Sequence, residues 1–103
     1  EAALALQEIS RRALASETTC IATIDRWVDR LGRSLAVVCD VLDPDAIVLG
    51  GGASNVPGLA ERLPAAIAPH CFSDGFRTPV RRAVHGDSGG VRGAAWLFAT
   101  FRP

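Results

Sequence analysis

Residues 42–55 read Leu-Asp-Pro-Asp-Ala-Ile-Val-Leu-Gly-Gly-Gly-Ala-Ser-Asn: a helix stop, four apolar residues and three glycines, with no spacer between them. Few folds accommodate that order. The residue before Pro44 is pushed out of the α region, so Asp43-Pro44-Asp45 ends whatever helix precedes it. Two carboxylates this close also suit metal or acid–base chemistry, but a turn rich in Asp and Pro needs neither, and the turn is the reading adopted. Residues 46–49 then form a short apolar strand of the kind buried on both faces in a parallel sheet. Three glycines at its carboxyl end permit positive φ and remove every Cβ, so another molecule can approach the main chain. Ser54 or Asn55 can cap the next helix, whose free N–H groups favour an anion. The same turn also serves as a plain tight connection, and the residues alone leave both readings open.

Periodicity supplies the elements around this segment. Residues 2–15 read as a first helix, with Leu6, Ile9 and Ala13 on one side and Glu8 four residues before Arg12 on the wet side. Ser16 is placed to cap a second helix over residues 17–42. There Ile21, Ile24, Val28, Leu31, Leu35, Val38 and Leu42 recur at alternating steps of three and four, which is one apolar stripe. Residues 35–42 are apolar nearly all round, so that half is expected to lie against a sheet. Gly32 in mid-helix costs about 1 kcal/mol relative to Ala, which close packing of another backbone would offset. The spacing also suits a coiled coil, but the all-round apolar end favours a domain core. Pro57 fits the first turn of a helix over 57–68, carrying Leu59, Leu63 and Ile67, with Pro64 expected to break or kink it. Residues 69–78 read as a loop, 80–84 as a strand and 90–101 as a last helix. Strand, helix and strand with a crossover of this length predict parallel pairing, hence an α/β chain of short parallel strands packed with helices.

Composition narrows the setting. With 49% hydrophobic and 21% charged residues the chain is globular, not disordered. At 103 residues without a methionine, it reads as a piece of a longer chain. Its eleven basic residues are all Arg and are balanced by eleven acids, so neither nucleic acid nor an anionic membrane is expected as a partner. Cys20, Cys39 and Cys71 are far apart, odd in number and in no metal-ligand spacing, which predicts a reducing cytoplasm. No leader is evident, and no apolar run approaches the roughly 20 residues that span a bilayer.

Residues 43–55, together with Thr-Pro-Val-Arg-Arg-Ala-Val-His-Gly-Asp-Ser-Gly-Gly-Val-Arg-Gly-Ala-Ala-Trp-Leu at 78–97, closely resemble the C-terminal portion of ROK-family sugar kinases. The fructokinase-like members are nearest. The resemblance implies that residues 1–103 are the C-terminal part of an actin-like (ribonuclease H-like) ATPase fold. By position it puts Gly50, Gly51, Gly52, Ser54 and Asn55 on the nucleotide side of a cleft. It implies ATP and Mg as cofactors, a hexose as co-substrate and transfer of the γ-phosphoryl group to a sugar hydroxyl. The family's catalytic aspartate and its Cys- and His-bound zinc lie upstream, so no catalytic or metal residue is expected here and the segment alone should be inactive. The absence of lysine also excludes a P-loop. Two alternatives stand beside the kinase. A ROK-type transcriptional regulator would place a DNA-binding segment before the same fold, and the long apolar stripe suits a non-catalytic segment that forms a homodimer.

Other conspicuous residues carry less. Gly86-Asp87-Ser88-Gly89-Gly90 matches the nucleophile segment of chymotrypsin-like proteases, but a triad needs a converging histidine and buried carboxylate, and the flanking strand and helix are the wrong context. Asp87 or Ser88 as a cap of the last helix is the reading adopted. His70 has no partner at metal-ligand spacing. Trp27 and Trp96 are expected in packing roles, and Arg77, Arg81 and Arg82 as structural or solvated, with the last two on opposite faces of their strand.

Overall fold

The long second helix organises a computed structural model that describes residues 4–100. The order is α1 (Leu6–Leu14), α2 (Thr18–Leu42), β1 (Ile47–Leu49), a 3-10 turn (Gly52–Asn55), α3 (Leu59–Ile67), a second 3-10 turn (Ala68–His70), β2 (Val80–Arg82), a third (Gly86–Ser88) and α4 (Gly89–Thr100). Ser16 does not start α2. It lies at φ +67° and ends α1: its N–H bonds the Ala13 carbonyl at 3.0 Å and the Glu17 N–H bonds that of Arg12 at 3.0 Å. These are the two bonds of a Schellman motif. Glu17 takes the N-cap position of α2 without a side-chain bond.

The buried row of α2 is Cys20, Ile24, Val28, Gly32 and Ala36, an unbroken step of four. In α3 it is Leu59, Leu63 and Ile67, again steps of four. Two i±4 rows facing each other make the ridge packing in which helices cross steeply. Val56 and Val80 complete the core, while Leu31, Leu35, Trp27 and Cys39 are half-buried against it. The alternating stripe is therefore corrected at its ends, since Ile21, Val38 and Leu42 are exposed. At the crossing, a Cβ on Gly32 would stand 2.6 Å from both the Cβ and the carbonyl oxygen of Ala66. Another backbone does press on Gly32.

The expected burial of residues 35–42 against a sheet is not seen. Val37, Val38, Val41 and Leu42 face outward. A helix of 25 residues is about 37 Å long, whereas strands of three residues extend only about 10 Å and α2 packs on α1, α3 and the 68–70 turn instead. Pro57 lies before the third helix, which starts after Gly58 at φ +74° and runs through Pro64 without breaking. Trp96 is 73% exposed and is not a core residue. The two strands pair in parallel, Ile47 with Val80, Val48 with Arg81 and Leu49 with Arg82. Residues 46, 83 and 84, expected in strands, lie outside them, and residue 101 of the expected last helix lies outside the described residues. Among the described residues, no helix is long and apolar enough to cross a membrane.

Candidate functional site

Parallel strands release their following loops at the same edge, and here those are the two segments singled out from sequence. An added Cβ on Gly50 would lie 3.9 Å from the carbonyl oxygen of Gly86, so the loops are in contact. Gly51 adopts φ 77° and ψ 179°, a region essentially reserved for glycine. A Cβ there would meet nothing within 4 Å. The backbone demands glycine, and the space over it is open. Gly52 faces α1: its added Cβ would sit 3.6 Å from Nε2 of Gln7.

Of the polar residues after the glycines, Ser54 turns inward and Asn55 bonds across the exposed side. Ser54 is buried, and its Oγ donates to the Gly51 carbonyl at 2.6 Å, an oxygen that also accepts the Ser54 N–H at 3.1 Å. This braces the turn from below. Asn55 Nδ2 donates to Asp87 Oδ2 at 2.8 Å, while its Oδ1 accepts from Arg82 Nη2. Neither residue caps α3, whose N-cap is Gly58 with no side-chain bond. The reason is topological: the 3-10 turn and Gly58 separate both side chains from the helix they were expected to start.

Arg82 and Asp87 are thus site residues that the sequence reading left out. Arg82, expected to be structural or solvated, has the structural role, through Asn55. It is the last residue of β2 and pairs with Leu49, which sets it level with the start of the glycine turn. Asp87 also accepts the Ser88 hydroxyl at 3.3 Å. The hydrogen bond from Asn55, then that from Ser88, hold the Asp87 carboxyl below its ordinary range, so it is ionised at neutral pH. Ser88 Oγ faces this carboxylate and no imidazole bonds it among the described residues, which leaves no triad. Asp43 and Asp45 belong to no group of three metal-ligating side chains among the described residues.

The arrangement is a bare glycine backbone at the carboxyl ends of two parallel strands, locked to the neighbouring loop by Arg82, Asn55 and Asp87. The family model described as ROK family matches residues 1–100. The chain belongs to the ROK family. That family has the actin-like ATPase fold, and the short parallel strands packed with helices are part of it. Over 98 residues the chain is 41% identical to an N-acetyl-D-glucosamine kinase of Mannheimia succiniciproducens, covering 95% of this chain and 32% of that protein. It is 39% identical over 97 residues to one of Haemophilus influenzae, covering 94% and 32%, and 41% identical over 90 residues to one of Photobacterium profundum, covering 87% and 30%. The chain spans about a third of the length of these ROK relatives.

Proposed function

We propose that the chain is the nucleotide-side segment of an ATP-dependent sugar kinase. The observation that carries this reading is the open glycine turn, where Gly51 holds a conformation that excludes a side chain and nothing fills the space a Cβ would take. Such a surface lets a ligand lie directly on the main chain. Gly50, Gly51 and Gly52 present that backbone, and Ser54 and Asn55 hold it in shape. When bound, ATP with Mg supplies the phosphoryl group, and positioning by the protein provides most of the catalysis in such transfers. Among the described residues no three His, Cys, Asp or Glu side chains are grouped to hold a metal ion.

The sugar is the finer question. The fructose expected from resemblance gives way to an N-acetylated hexosamine, because the relatives are named N-acetyl-D-glucosamine kinases; those names also favour the kinase over a regulator. The cytoplasm is the compartment proposed. In the full-length protein, a coupled ADP-release assay should give far higher kcat/KM with N-acetyl-D-glucosamine than with fructose, glucose or mannose. Gly52→Val is the test of the turn, because Gly52 carries no positive φ and a side chain there fills space between the turn and α1, beside Gly51, without backbone strain. It should raise KM for ATP at least about tenfold, the equivalent of roughly 1.4 kcal/mol, and move the sugar KM much less. Unchanged ATP kinetics in a folded Gly52→Val protein would remove the turn from the site.

A further inference from the structure

Cys39 and Cys71, far apart in sequence, are neighbours in the fold. Cys39 lies in the last turns of α2 and Cys71 directly follows the 68–70 turn, and both line one open cleft of about 460 Å³. The residues beside them are tied together: the Phe72 N–H donates to Asp40 Oδ1 at 2.9 Å. The thiols themselves are in contact, the Cys39 S–H donating to the Cys71 sulfur. Cys20, near the other end of the same helix, is buried.

Neither thiol of the pair is sealed away. Both are half-buried, packed on one side against the core and on the other bordering the cleft, where Phe72 is 95% exposed. Among the described residues no three His, Cys, Asp or Glu side chains are grouped to hold a metal ion, so the chemistry left to two adjoining thiols is oxidation and disulfide exchange. Burial, then Asp40, push the Cys71 thiol up, while the hydrogen bond from Cys39 pulls the other way. Cys39 is pushed up by burial, then by Cys71 and Asp40. The pair therefore rests as thiols at neutral pH, and Cys71 is the better placed to ionise and react first.

We propose that Cys39 and Cys71 form a reversible disulfide in response to hydrogen peroxide. The Cys71 thiolate attacks one peroxide oxygen, the O–O bond breaks, and the departing hydroxide takes up the proton that Cys71 released, leaving a sulfenic acid and water. The Cys39 sulfur, giving up its proton, then attacks the Cys71 sulfur, and the S–O bond breaks with loss of a second water. Two thiols are oxidised and one peroxide is reduced; a thiol reductant reverses the step by exchange. The bond closes the chain from 39 to 71 into a ring that contains β1, the glycine turn and α3, fastening the end of α2 to the chain beyond α3. In a reducing compartment such a bond is transient and senses oxidant.

Peptide mapping of the full-length protein tests the pair without reference to its activity. The native protein is treated with hydrogen peroxide, quenched, unfolded in an alkylating agent and cut with trypsin; Arg33, Arg62 and Arg77 put the two cysteines on separate peptides, 34–62 and 63–77. These should be recovered as one linked species lacking two hydrogens, split by dithiothreitol, with Cys20 alkylated. Cys39→Ser and Cys71→Ser should each abolish the linked species, and peroxide-treated Cys39→Ser should carry a sulfenic acid at Cys71 that dimedone traps. Oxidation should raise the thermal midpoint of the unsubstituted protein by at least about 2 °C, because the ring constrains the unfolded chain, and leave both variants unmoved. Recovery of Cys39 and Cys71 on separate alkylated peptides after peroxide, or linkage of either to another cysteine, overturns the proposal.

Discussion

Gly32 and Gly93 are both helical glycines, and their surroundings reverse what substitution does to each. In α2 a Cβ at Gly32 would stand 2.6 Å from the Ala66 carbonyl oxygen, a backbone atom, whereas at Gly93 in α4 it would meet nothing within 4 Å. Alanine improves helix propensity at either site by about 1 kcal/mol. At Gly32 overpacking outweighs it, so Gly32→Ala should destabilise by about 1–3 kcal/mol, while Gly93→Ala should stabilise by up to about 1 kcal/mol. Denaturant midpoints of the two full-length variants check both signs. Glu8 yields a pH prediction. Its hydrogen bonds from Arg11, then Arg12, lower its pKa from 4.5 to about 2. A depressed folded-state value means that the pairing contributes stability above pH 4.5 and loses it as pH falls toward 2. Carbon NMR titration of the Glu8 carboxyl should give a midpoint near 2 at low salt, rising with ionic strength as the exposed pair is screened; a midpoint near 4.5 would mean the cluster does not form.

At the scale of elements, the junction of α1 and α2 separates two readings of one serine. If Ser16 capped α2, Ser16→Ala would cost about 1 kcal/mol. Its left-handed backbone and the bonds that end α1 instead predict that Ser16→Ala is nearly neutral. Ser16→Gly should stabilise by up to about 1 kcal/mol, since a side chain in that conformation is strained by roughly 1–2 kcal/mol. Thermal unfolding of the two variants distinguishes the cases. The i±4 rows of α2 and α3 explain why a heptad-like stripe was legible but misplaced. Apolar residues were abundant enough to fit steps of three and four, and only the facing helix selected the row that starts at Cys20.

For the whole molecule, shape and surface agree. The radius of gyration is 16.5 Å, against roughly 13 Å for a compact domain of about 100 residues. Among the described residues the sheet is a single pair of three-residue strands, below the three strands usually needed for independent stability. Val37, Val41 and Leu42 on α2, and Val91, Leu97 and Phe98 on α4, are exposed, large apolar side chains of the kind that a contact with another surface covers. The isolated 103-residue chain should therefore self-associate and bind a hydrophobic dye, and it should release no ADP in response to sugar. Gel filtration with dye fluorescence and the coupled assay test this; a monodisperse, dye-negative monomer would contradict it.

Local chemistry was enough to reveal the helix stop at Asp43-Pro44-Asp45, the short strand after it, the open glycine turn, the close backbone at Gly32 and the α/β class. Each follows from steric limits on φ and ψ or from apolar periodicity within a few residues. The motifs at 43–55 and 78–97 carried the family as well. What needed the third dimension depended on residues far apart in sequence. Register placed Arg82 beside Asn55, 27 positions earlier, and the meeting of two loops gave Asp87 its partner 32 positions away. The packing of α1 against the turn brought Gln7 to Gly52. Backbone geometry also overruled side-chain preference at Ser16 and Ser54: residues with good capping chemistry were taken by a left-handed helix end and by the Gly51 carbonyl. Hydrogen-bonding capacity is written in the side chain, but its partner is chosen by the fold that surrounds it.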